Sequence, residues 1–115
     1  MKEKKYLNEF DATLQIIQGK WKVMIIYELY EHQCRRFGEL QRYIQDISHK
    51  TLTNQLRELE DDGLIKRTVY PEVPPRVEYA LTEKGVSLIP LLEMICDWGY
   101  ANVDKKYIER LLCDD

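Results

Sequence analysis

The stretch SHKTLTNQLRELEDD, residues 48–62, narrows the fold of this chain more than any other. Leu52, Leu56 and Leu59 fall at i, i+4 and i+7 and form one apolar stripe at helical period. Ser48 offers a hydroxyl oxygen to the free N–H groups of a first turn, and Gly63 supplies a stop. At 100° per residue, Lys50, Asn54 and Arg57 lie opposite the stripe, with Thr53 beside them. The helix is basic and polar at its start. It is acidic at its end, where Glu58, Glu60, Asp61 and Asp62 cluster.

The next stretch is equally specific. In LIKRTVYPEVPPRVEYALT two β-rich runs flank PEVPP, and Val77, Tyr79 and Leu81 alternate as a half-buried strand requires. Three prolines restrict φ and remove donors, which predicts a stiff hairpin tip. Before the amphipathic helix, the pattern predicts a helix over 9–18 stopped by Gly19, and a largely buried helix over KWKVMIIYELYEH. A break or edge strand at CRRF and a short helix at GELQRYI complete that half. From Thr82 onward the chain reads as helix, with Pro90 starting or bending it, and its apolar residues exceed what a short tail needs.

The order is therefore helix, helix, short helix, amphipathic helix, hairpin, long helix: a mainly α chain with a small β-hairpin, a winged helix-turn-helix. In 115 residues this is one domain. Its candidate DNA-binding core spans about 20–82, flanked by helical segments at about 8–18 and 83–112. In such folds the second helix of the turn motif enters the major groove. Net charge is -3, but the excess acid is confined to residues 83–115, with 4 bases and 7 acids; residues 35–82 carry 8 of each. A local basic face is compatible with that balance.

The candidate DNA contacts rest on side-chain chemistry. Arg57 can donate a bidentate pair to guanine and Asn54 can pair with adenine. Ser48, His49, Lys50, Thr51 and Thr53 surround them at the helix start, where backbone N–H groups favour phosphate. Lys66, Arg67 and Arg76 lie on the hairpin, and Arg35, Arg36 and Arg42 lie around the short helix. For each, the plain alternative is a solvated surface charge. A winged helix can also serve as a protein-interaction module, in which case Lys50, Asn54 and Arg57 would meet a protein instead.

These residues also resemble a known family. GKWKVMIIYEL, RRFGELQRYIQDISHKTLTNQLRELEDDGLIKRTVYPEVPPRVEYALTEKG and the trailing Trp98-Gly99 are similar to the HxlR-type winged-helix transcriptional regulators over roughly residues 8–100. The resemblance implies a sequence-specific regulator that binds a double-stranded, pseudo-palindromic DNA operator as a homodimer, with a small-molecule or stress signal as input. It implies dimer contacts from the terminal helices: Leu7, Phe10 and Leu14 at one end, and Leu88, Leu91, Leu92, Ile95, Trp98, Val103, Ile108 and Leu111 at the other. Many members carry a cysteine just before the first helix, and in some it senses electrophiles or oxidants. Here that position is Asn8, which forms neither thiolate nor disulfide.

Other chemistry is thinly represented. Cys34, Cys96 and Cys113 lack the paired spacing of a disulfide framework, so reduced thiols are expected; any residual redox role would rest on Cys113 and Cys96. His32 and Cys34 are too few for a zinc site. No phosphate loop, nucleophile motif or cofactor motif is present, so neither an enzyme nor a cofactor is expected. Trp21 and Trp98 could line an effector pocket. No apolar run reaches the roughly 18 residues that cross a bilayer, and the charged start lacks a secretory segment, so a cytoplasmic protein without membrane contact is expected.

Overall fold

The computed structural model describes residues 5–112. Its elements are α1 (Glu9–Ile17), α2 (Lys22–His32), β1 (Cys34–Arg35), α3 (Phe37–Ile44), α4 (His49–Asp61), β2 (Ile65–Tyr70), β3 (Arg76–Leu81), α5 (Glu83–Val86), α6 (Ile89–Asn102) and a 3-10 turn at Lys105–Tyr107. The mainly α, winged helix-turn-helix architecture read from the sequence is the one observed.

Capping chemistry sets the boundaries. Asn8, at the family's cysteine position, is the N-cap of α1: its side chain accepts from the Asp11 N–H at 2.9 Å. Gly19 and Gly63 both adopt positive φ, at 107° and 77°, where a Cβ would be strained. The core gathers Ile25, Ile26 and Leu29 of α2, Leu40 and Ile44 of α3, Leu52, Leu56 and Leu59 of α4, and Leu64, Ile65 and Tyr79 of the hairpin. Each such aliphatic side chain removed from water contributes about 1.5–3 kcal/mol.

Three features refine or correct the expectation. First, CRRF takes the edge-strand alternative: the sheet has the order β1-β3-β2, with Cys34 opposite Ala80 and Arg35 opposite Tyr79. β3 is therefore central. Its residues between Val77, Tyr79 and Leu81 are half-buried too, because β1 covers the strand that a bare hairpin would leave open.

Second, the C-terminal region is not one long helix. Thr82 caps a single turn, α5, and Pro90 sits in the first turn of α6, where its missing N–H costs nothing. α6 ends at Asn102. Val103 is extended and Asp104 starts a 3-10 turn by accepting from the Lys106 N–H. Asn, Asp and a β-branched residue in succession favour caps over continued helix. Ile108 then lies half-buried, and Arg110 stacks on Tyr43 of α3 at 4.5 Å. Val103, Ile108 and Leu111 thus belong to a non-helical segment rather than to a dimerisation helix.

Third, Leu92 is 1% exposed within the chain's own core, and Leu88 packs against that core. Leu92 is not available to a partner. The outward stripe of α6 is Leu91, Ile95 and Trp98, with Met94 between them.

Of the five glycines, Gly85 leaves the least room for a side chain. A Cβ there would run into the Leu64 carbonyl oxygen, which belongs to backbone and cannot swing aside. Gly85→Ala is expected to cost more than about 2 kcal/mol by overpacking. Gly38→Ala, which meets only the tip of Arg42, should leave stability unchanged or raise it by up to about 1 kcal/mol. Urea unfolding of both variants beside the parent decides this; equal midpoints for the two would refute the packing assignment.

Candidate nucleic-acid interface

α3, the turn at 45–48 and α4 form the helix-turn-helix, and the apolar stripe of α4 sets its rotation. With Leu52, Leu56 and Leu59 buried, Lys50, Asn54 and Arg57 face solvent together. Among the described residues, none of those three makes an ion pair or side-chain hydrogen bond. They are preorganised by the helix and free at their tips.

The hydroxyls predicted beside them are already engaged. Ser48 Oγ accepts from the Thr51 N–H at 3.1 Å and donates to Thr51 Oγ1 at 2.9 Å. Thr53 Oγ1 donates to the His49 carbonyl at 2.8 Å. The His49 ring rests 4.5 Å from Phe37, which joins the starts of α3 and α4. Arg36 and Arg42 share one cleft around Gly38, both exposed and unpaired among the described residues.

Other predicted cations are held inside the fold. Arg76 bridges Glu72 at 3.2 Å and Glu78 at 3.6 Å and stacks on Tyr70 at 4.1 Å, so it braces the wing rather than reaching for phosphate. Arg35 pairs with Glu28 at 2.9 Å and Glu39 at 3.2 Å, joining α2 to β1 and α3. Lys66 and Arg67 are both exposed on β2, yet adjacent strand residues point to opposite faces. One of them at most shares the wing's DNA-facing side.

The acidic end of α4 has a structural use that sequence reasoning missed. Glu58 pairs at 2.7 Å with Lys22, whose side chain is 6% exposed, and the Asp62 carbonyl accepts from Lys84 Nζ at 2.7 Å. The far end of the recognition helix is thereby tied to α2 and to α5. The available signal was a lysine directly before the apolar run Val23–Tyr27 of α2.

The fold also separates the remaining candidates. Trp21 lines a cleft between α1, α2 and α4, whereas Trp98 stands exposed on α6 and does not line that cleft. Cys96 is half-buried against the core and disulfide-bonded, not the reduced thiol expected, and Cys113 lies outside the described residues. Burial and the neighbouring Glu78 carboxylate push the Cys34 thiol up, which disfavours its thiolate. Among the described residues, the metal-ligating side chains that cluster are Glu28, Glu31 and His32, with ligand atoms within 4.8 Å of one another. Glu28 is already engaged by Arg35 and, at 3.6 Å, by His32, which makes this an ion-pair cluster. No described helix is long and apolar enough to cross a membrane.

A three-stranded wing packed beside a helix-turn-helix whose outer face carries unpaired Lys, Asn and Arg defines a winged-helix DNA-binding protein. The model of the HxlR-like helix-turn-helix family matches residues 16–107, and the chain belongs to that family of transcriptional regulators. It is 57% identical over 93 residues to an uncharacterized HTH-type transcriptional regulator of Halalkalibacterium halodurans, spanning 81% of this chain and 82% of that protein. It is 49% identical over 107 residues to the uncharacterized HTH-type regulator YtcD of Bacillus subtilis, spanning 93% and 84%. The redox regulator HypR in its oxidized form superposes with a TM-score of 0.77 at 43% identity, covering 84% of this chain and 99% of that one. The chain is a DNA-binding transcriptional regulator and not an enzyme.

Glu39 gives the motif a measurable pH response. Its carboxylate accepts from the Arg36 N–H at 2.9 Å, the main cause that holds its pKa below the ordinary value, with Arg35 adding to it. A depressed folded-state pKa contributes stability above the unfolded value, lost as pH falls through the folded one. The stability difference between parent and Glu39→Gln should therefore shrink as pH drops from 6 towards 3, as read by denaturant midpoints. A constant difference would show that the capping carboxylate does not titrate in this way.

Proposed function

We propose that the chain acts in the cytoplasm as a homodimer that binds a pseudo-palindromic operator and changes its DNA affinity in response to a small-molecule or stress signal. Sequence is read by Lys50, Asn54 and Arg57, with His49 at the edge of the groove. Arg36, Arg42 and one of Lys66 and Arg67 hold phosphates. The observation that carries this reading is the solvent-facing, unpaired row on α4, aligned by a buried leucine stripe. A residue of each type suited to base edges is present, and nothing else in the described fold claims them.

The dimer reading is supported by the terminal helices. α1 buries only Ile17, while Leu7, Phe10 and Leu14 are exposed, Phe10 at 81%. Trp98 is 66% exposed on α6, in line with Leu91 and Ile95. Apolar stripes of this kind on two helices mark an interaction surface. A twofold pair of these faces would set two recognition helices about one DNA turn apart.

Arg57→Ala is expected to cost about 1–3 kcal/mol of operator affinity and to relax preference at one base pair, measured by fluorescence anisotropy on a set of singly substituted operators. Unchanged affinity on every operator would remove Arg57 from the reading face. In the same assay, Arg36→Ala should lower the slope of log K against log salt by about 1. Trp98→Glu should shift the protein towards monomer in analytical ultracentrifugation and weaken operator binding. A variant that stays dimeric would take α6 out of the interface.

A further inference from the structure

A cleft of about 960 Å³ lies between the end of α1, the start of α2 and the acidic half of α4. That volume is within the upper range of small-molecule sites. Its floor is apolar, with Trp21 and Ile16 lining it. Its walls are charged with both signs.

The decisive element is Lys22. Its ammonium carries three donors, and among the described residues only Glu58, at 2.7 Å, takes one. The remaining donors sit on a side chain that is almost wholly enclosed. Glu58 is half exposed and keeps acceptor capacity on the cleft side. One turn along α4, Asp61 adds a second carboxylate to the same wall. On the opposite side, Lys20 holds its ammonium 4.9 Å above the Trp21 ring, so the indole face already takes a cation. α2 begins here, and no side chain caps its first-turn N–H groups.

A purely anionic ligand would meet Glu58 and Asp61, and a purely cationic one would meet Lys20 and Lys22. A ligand with adjacent opposite charges meets complementary groups on both. Because Lys22 and Glu58 touch, the matching ligand carries its charges a few ångströms apart.

We propose that this cleft binds a free α-amino acid with an apolar side chain, and that this amino acid is the effector of the regulator. Its carboxylate accepts from Lys22 and from the start of α2. Its ammonium donates to Glu58 and Asp61. Its side chain lies on Trp21 and Ile16. The site joins α1, on the surface assigned to the dimer, to α4, which carries the reading face. A ligand there biases the angle between them and hence the spacing of the two recognition helices. The regulatory part rests on the operator-binding reading above; the binding part does not.

The test is calorimetric titration of the full chain with valine, leucine, isoleucine, methionine, phenylalanine and tryptophan, each beside its amide and its N-acetyl derivative. Thermal melts at saturating ligand and operator titrations accompany it. At least one zwitterion should bind and raise the melting midpoint. Removing either charge should weaken binding by on the order of tenfold or more. Asp61→Asn should lose affinity for the amino acid while melting near the parent; Glu58→Gln should lose affinity too, but at a lower melting midpoint, because it leaves the enclosed Lys22 ammonium without its carboxylate. In the parent alone, the amino acid should shift operator affinity. If no amino acid binds, the site assignment is wrong, whatever the DNA result. If amide and N-acetyl forms bind as well as the zwitterion, the ligand class is wrong. If the amino acid binds but operator affinity does not move, although the operator is bound, the effector role is wrong. A parent that binds no operator would instead overturn the proposed function, and the calorimetry would still decide the site.

Discussion

Everything functional in this chain depends on the burial of Leu52, Leu56 and Leu59. A helix of thirteen residues has marginal stability alone, and packing of its apolar stripe determines both that it forms and how it is rotated. Once the three leucines are in the core, the rotation of α4 is set. Lys50, Asn54 and Arg57 then face outward without any further interaction to aim them. The outward polar face is a by-product of packing, and it stays free because nothing else in the described fold engages those side chains.

Charge in the rest of the molecule is sorted by the same logic. The cations that pair internally are those close to buried carboxylates or to a turn. Arg35 satisfies the buried Glu28, Arg76 braces the wing, and Lys22 anchors Glu58. At the C-terminal half of α4, Glu58 pairs with the enclosed Lys22, while Glu60 and Asp61 stay exposed. A net charge of -3 is compatible with a DNA-binding family, because the excess acid lies in residues 83–115.

The terminal helices have the opposite character. α1 contributes one buried residue, and α6 alternates an inward row, Ile89 and Leu92, with an outward row, Leu91, Ile95 and Trp98. The fold is closed around the helix-turn-helix and apolar at its ends. The segment after α6 returns across the molecule and lays Arg110 on Tyr43 of α3. The C-terminal region is therefore in contact with the DNA-binding motif of its own chain.

By itself the sequence determined the elements whose signals are local. The helix at 49–61 has a capping serine, a leucine period and a terminal glycine; the hairpin has β-branched runs about a proline-rich tip; α1 ends before Gly19. Each arises from interactions within a few residues, and the resemblance of long motifs to one family carried the class of function. Tertiary structure decided what depends on partners distant in the chain. β1 exists because β3 offers it a ladder, and Leu92 is core while Leu91 is surface because other helices cover one side of α6. Lys22 meets Glu58 and Arg35 meets Glu28 because folding sets them side by side, and no spacing rule states that in advance. The sequence lists which side chains can bear charge; only the fold decides which charges are neutralised within the protein and which stay exposed and unpaired.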